Sequence, residues 1–229
     1  VKRDLMVFDG PVTLVGGGEL DAGLIAAARE IAPRVVAADR GADRLDGFGV
    51  PEDQVAAVIG DLDSIADRAR WEGGATRVLH LEEQETTDFE KCLYSTEAPL
   101  YVAVGFTGRR VDHTLAVLHA LLSNSAKRVI VLGPDDAVAL VPPGGIALDL
   151  AVGARVSFFP LAPVNGVASE GLEWPIDGLD FAPGWRIGTS NRATAARVSA
   201  RFDGPPMLVM VERRFLGTLA AAVGGASQA

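Results

Sequence analysis

In the stretch "VIGDLDSI" (58–65), Asp61 and Asp63 stand two residues apart directly after an apolar run. On an extended chain, positions i and i+2 face one way and lie about 6 to 7 Å apart. Two carboxylates that close repel each other unless a cation lies between them. Their oxygens can reach one hard cation at about 2.1 Å, or two cations close together. The ligands on offer are all oxygen, with no Cys or His cluster, which selects Mg²⁺ over Zn²⁺. Further acids occupy comparable places. Asp39 follows "RVVAA", Asp88 follows "LEEQETT" and Asp112 follows "VAVGFTGRRV". Asp88 and Asp112 stand at expected helix starts, where an Asp also serves as an N-cap. The two uses are compatible.

Magnesium held by a few carboxylates completes its shell with water and substrate phosphates, so phosphate-binding groups are the next thing to seek. The "VGGGEL" stretch (Gly16, Gly17, Gly18) ends an apolar run and offers backbone N–H groups to an anion, or else makes a tight turn. In "GFTGRRVDH", Arg109 and Arg110 bring fixed positive charge to an acidic surrounding, and Arg suits bidentate phosphate contacts. Lys91 lies three residues past Asp88, on the same helix face, as a phosphate ligand or a local ion-pair partner. His113, beside Asp112, is the histidine worth testing, whereas His80 and His119 lie among apolar residues and are expected to pack. Cys92 reads as a small core residue, since no paired His or positive field accompanies it. Trp174 and Trp185 each suit stacking on a flat cationic ring or filling a small sandwich core.

Elements that could position these groups follow from the hydrophobic pattern. Through about residue 135, apolar β-branched runs ("VTLVGG", "RVVAAD", "VAAVIGD", "TRVLHL", "LYVAVGF", "RVIVLG") alternate with helix-compatible stretches. That alternation predicts a mostly parallel sheet covered by helices on both faces. In such sheets ligands collect outside the carboxyl ends of the strands, the rim where the acids fall. After Pro142 the runs become short, alternating and punctuated by Gly and Pro, which predicts a small antiparallel all-β, sandwich-like domain. The expected division is 1–138 and 139–229. The tail "AAAVGGASQA" reads as a frayed end.

Bulk properties narrow the function classes. The 229-residue chain is 48% hydrophobic and carries a net charge of −9. That charge opposes broad nucleic-acid binding, while a local metal or Arg pair still accommodates a phosphorylated small molecule. The single cysteine fits a reducing, cytoplasmic setting. A signal peptide and a membrane span are not expected.

Five stretches, "AADRGADRL", "VIGDLDSI", "ETTDFEKCL", "GFTGRRVDHTLAVLHAL" and "GTSN", resemble thiamine pyrophosphokinases, in the family's order and over most of the chain. The resemblance implies an α/β domain (1–138) binding ATP and Mg²⁺, and a β domain (139–229) binding thiamine and forming a homodimer with thiamine at its interface. The implied reaction moves the diphosphoryl group of ATP to the hydroxyl of thiamine, giving thiamine diphosphate and AMP. Asp39, Asp61, Asp63 and Asp88 would form the metal and phosphate cluster, with Gly17, Thr87 and Lys91 as further nucleotide contacts. Arg109, Arg110 and Asp112 would belong to the nucleotide and substrate loop, and Ser190 and Asn191 to the thiamine side. Either Asp88 or Asp112 would accept the hydroxyl proton. Where the family often has two glycines after its first Asp, this chain has Arg40 and Gly41, and Glu85 replaces a common Asp before "TTD". The remaining readings are a related enzyme acting on another alcohol such as a pterin, a non-catalytic Mg²⁺–nucleotide sensor, and a phosphatase whose strand also ends in D-x-D.

Overall fold

The apolar runs of the first half become strands in the computed structural model, which describes residues 5–108, 110–204 and 206–225. The elements are β1 (Met6–Val7), β2 (Val12–Val15), α1 (Ala22–Ile31), β3 (Arg34–Ala38), α2 (Ala42–Leu45), β4 (Val55–Gly60) and α3 (Arg68–Glu72). There follow β5 (Arg77–His80), α4 (Asp88–Ser95), β6 (Thr96–Glu97), β7 (Tyr101–Val104), α5 (Val111–Ser123) and β8 (Val129–Leu132). Strands β7-β2-β3-β4-β5 pair in that order, all parallel, with β8 beside β7. Every residue of β2, β7 and β8 is buried, as a sheet covered on both faces requires. The short β1 pairs with β6 apart from this sheet.

Helix ends follow local chemistry. Asp21 caps α1 by accepting the Leu24 N–H at 2.8 Å. Its buried face presents Leu24, Ile25 and Ala28, and each buried leucine-sized side chain contributes about 2 kcal/mol. The capping residue of α4 is Thr87, in a reciprocal capping box with Glu90. Asp88 is thus the first helical residue, and its carboxylate is not consumed by the cap.

Residues up to Ala120 with Val131–Pro134 form one compact unit, and Leu121–Ile130 with the residues from Asp135 onward form the other. The second unit contains β9 (Asp136–Leu140), β10 (Ile146–Asp149), β11 (Arg155–Pro160), β12 (Val164–Glu170), β13 (Asp180–Phe181), β14 (Gly188–Arg192), β15 (Arg197–Phe202), β16 (Met207–Glu212) and α6 (Leu216–Gly224). Antiparallel pairing joins β14-β11-β16-β9 in one layer and β10-β15-β12-β13 in the other. Rings from both layers meet in the sandwich core: Phe158 lies 5.4 Å from Phe202, and Phe181 lies 6.1 Å from Phe202.

The chain end differs from expectation. Residues through Gly224 continue as α6, which buries Leu216, Leu219, Ala220 and Val223, packs on β9, β10 and β16 and has its Gly224 carbonyl bonded by Arg128 at 2.9 Å. Small residues read as frayed are, for this helix, what allows close packing on strands. No helix among the described residues is long and apolar enough to cross a membrane.

Candidate active site

At the carboxyl end of β4 the backbone departs from the extended geometry expected of it. Leu62 is buried and adopts φ 60, a left-handed conformation, and the Asp63 N–H bonds the Asp61 carboxylate at 3.3 Å. The two acids therefore converge around a turn whose apolar residue is anchored in the core, rather than along a pleat. Asp39, at the end of β3, adopts φ 43 and is only 5% exposed. Such conformations cost a non-glycine residue about 1–3 kcal/mol and persist only where the surroundings impose them. Gly60 makes room between these acids: a Cβ there would lie 2.8 Å from the Asp39 Cβ and 3.2 Å from Asp88 Oδ1.

One carboxylate oxygen from each of Asp39, Asp61 and Asp63 lies within 4.8 Å of the others. Ser64 donates to Asp39 Oδ2, while Asp39 Oδ1 is buried without a partner. A buried acceptor left unsatisfied is costly, and the donor set is all oxygen. These residues fit a hard divalent cation. Gln84 donates to Asp61 Oδ2 at 2.7 Å and, as the largest influence, holds the Asp61 carboxyl below its ordinary range. The Asp61 charge pushes Asp63 the other way.

Asp88 stands beside the triple. Burial raises its carboxyl above the usual range, against the pull of Lys91. Lys91 is itself buried, with Nζ 3.3 Å from Asp88 and 3.9 Å from Asp61. A cleft of about 560 Å³ joins these groups, bounded by Gly17, Asp39, Asp61, Thr87, Asp88 and Lys91 and reached also by Arg40, Arg110 and His113. Arg110 pairs with Asp112 at 2.5 Å, and that bond holds the exposed Asp112 carboxyl at about 2. Arg109 lies outside the described residues.

The glycine stretch works differently from a bare anion cradle. Gly16 N–H bonds Val104 and Gly18 N–H bonds Gly105. A Cβ on Gly16 would lie 2.5 Å from the Gly105 carbonyl. These glycines let two loops touch, and the first helix begins later behind its own acidic cap.

In the second unit, Ser190 is exposed at φ 62. Asn191 is buried, and its amide accepts from Trp174 N and donates to Trp174 O. Trp174 is 53% exposed and Trp185 76%, so neither fills the sandwich core. Both lie outside the strands, on the β12–β13 and β13–β14 connections. His80 and His119 are also exposed rather than packed. His80 ends β5, the outermost strand of its sheet. Cys92 is fully buried, and burial pushes its thiol far up.

Gln84, Ser64 and Leu62 went unrecognised in the sequence. Gln84 and Ser64 are common polar types, and only their adjacency to the acids hinted at a role. Glu83 is a further case: it accepts from the Thr86 hydroxyl and from the amides of Glu85 and Thr86 and the Tyr94 hydroxyl, shaping the loop that carries Gln84.

Comparison with known proteins adds the family. Residues 27–132 match the family described as "Thiamin pyrophosphokinase, catalytic domain", and residues 146–205 match "Thiamin pyrophosphokinase, vitamin B1 binding domain". "Thiamine pyrophosphokinase 1" of Oryza sativa subsp. japonica is 30% identical over 186 residues, covering 68% of this chain and 70% of the relative. The protein of that name in Arabidopsis thaliana is 26% identical over 191 residues, covering 72% of each. The fold is shared with the thiamin pyrophosphokinase from Candida albicans, at a TM-score of 0.74 and 15% identity over 93% of this chain and 94% of that one. It is shared too with that from Geobacillus thermodenitrificans, at 0.72 and 20% identity over 88% and 96%.

Proposed function

The chain belongs to the thiamin pyrophosphokinase family, and from that premise we propose that its acid-lined cleft serves the transfer of the diphosphoryl group of ATP to the thiamine hydroxyl. The hydroxyl oxygen bonds to the β-phosphorus, the bond from that phosphorus to the oxygen bridging it to the α-phosphorus breaks, and AMP leaves. The observation that carries the reading is the buried, unpartnered Asp39 oxygen in a cluster with Asp61 and Asp63.

Asp39, Asp61 and Asp63 would hold Mg²⁺, with Asp88 beside them. The bound ion would neutralise polyphosphate charge and orient the phosphoryl group. Lys91 keeps Asp61 and Asp88 paired while it lines the cleft, ready to exchange a carboxylate for a phosphate oxygen. Arg110 supplies positive charge toward the transferred or leaving group, with Arg109 proposed alongside it. Thr87 and Gly17 shape the nucleotide side, Thr87 by fixing the start of α4. For the hydroxyl proton we favour Asp88 over Asp112. Burial raises the Asp88 carboxyl, whereas Arg110 holds Asp112 at about 2, too acidic to accept a proton well.

The proposed division of labour gives residues 1–138 to ATP and Mg²⁺ and residues 139–229 to thiamine and dimerisation. Ser190 and Asn191 act on the thiamine side, and Asn191 would do so through Trp174, whose backbone it holds. A homodimer would cover exposed Trp185 and Ile187, and the lone buried thiol suits the cytoplasm.

The test is product analysis after incubation with ATP, Mg²⁺ and thiamine. Equal amounts of AMP and thiamine diphosphate, abolished by Asp61→Asn, are expected. ADP or free phosphate as the product, or turnover only with a pterin alcohol, would overturn the reading.

A further inference from the structure

Strands β11 and β14 pair with an irregular register. Val156 faces Asn191 and Phe158 faces Gly188, so Ser157 alone stands opposite both Thr189 and Ser190. Two residues against one is a β-bulge, a device that redirects a side chain and recurs beside functional sites. In one common form the bulged strand places a glycine in the left-handed region. Here that conformation falls to Ser190, at φ 62, although a side chain disfavours it.

Something must hold it there. The Ser190 N–H donates to the Ser157 hydroxyl at 2.9 Å, and Ser157 is only 4% exposed. A buried side-chain hydroxyl thus replaces the main-chain acceptor that regular pairing would supply. From this geometry we infer that Ser157 is a positioning residue: its hydroxyl locks the bulge and so aims Ser190 at the vitamin. The inference rests on the functional reading above and on both residues lying inside the vitamin B1 binding match. Ser157 does not touch the reacting atoms. It acts through the backbone of Ser190, so its loss should weaken thiamine binding and leave the nucleotide side intact.

The test compares wild type, Ser157→Ala and Ser157→Thr as full-length proteins. Calorimetry should show thiamine binding about five- to tenfold weaker in Ser157→Ala, the loss of one positioning hydrogen bond. KM for thiamine should rise in parallel, KM for ATP should be unchanged, and Ser157→Thr, which keeps a hydroxyl, should recover most of the binding. A crystal structure of Ser157→Ala should show residue 190 relaxed to negative φ. Equal thiamine affinity in wild type and Ser157→Ala, an unchanged φ at residue 190, or parallel increases in both KM values would overturn the inference. If wild type itself binds no thiamine, the functional reading fails first and the inference falls with it.

Discussion

Asp39 combines a strained backbone, deep burial and a carboxylate oxygen with nothing to accept from. Asparagine keeps its shape and removes its charge. Asp39→Asn should therefore lower activity by at least about 100-fold, the scale of losing a preorganised electrostatic group. In metal-free buffer the same variant should melt higher than wild type, because a buried carboxylate with one oxygen unpartnered costs more to desolvate than an amide. A lower melting temperature in calorimetry would count against the idle-ligand interpretation. Glu83 makes a pH-dependent case. The Thr86 hydroxyl above all, then Tyr94 and the loop amides, draw its carboxyl down from 4.5 to about 2. A carboxyl depressed in the folded state stabilises fully above its unfolded value, and that contribution fades as pH falls from about 4.5 toward 2. The stability gap between wild type and Glu83→Gln should accordingly be constant above pH 5 and shrink below it, as read by urea unfolding at each pH. A gap that widens on acidification would refute the assignment.

Among the elements, the join between β4 and the cluster is the most demanding. A methyl group on Gly60 would press on Asp39 and Asp88. Gly60→Ala should cost about 1–3 kcal/mol of stability and remove most activity without deleting any functional group, as denaturation and steady-state rates would show. Thr87→Ala should cost about 1 kcal/mol through the lost cap of α4, with KM for ATP rising as Asp88 and Lys91 lose their fixed start. These elements also mark what pattern reading can reach. Strands β2, β4 and β7 were legible because both faces are buried and their residues are almost all apolar. The acids at the strand ends were legible because type and position coincide. The turn at Leu62 was not, since a leucine after an aspartate carries no sign of positive φ. Nor was the bulge at Ser190, which arises from pairing with β11. Trp174 and Trp185 misled for a related reason: hydrophobic bulk suggests a core, and only the layers show that the core is already filled by Phe158, Phe181 and Phe202.

At the scale of the whole molecule, a chain of net charge −9 gathers acids in one cleft, and the proposed cation would make that tolerable. Mg²⁺ at tenfold over its dissociation constant should add about 1.4 kcal/mol of stability by mass action, a rise of roughly 3–6 °C in melting temperature. Asp61→Asn should remove most of that rise, and an equal shift in both proteins would indicate a cation bound elsewhere. Cys92 has a different consequence at this scale. It is the only thiol in the chain, fully buried on α4 and held protonated by that burial. A maleimide at neutral pH meets no reactive sulfur on the native protein. A cysteine placed at exposed Val152, on the β10–β11 connection, would then be a single chemical address, and a dye attached there would report on the second unit alone without any native cysteine having to be removed.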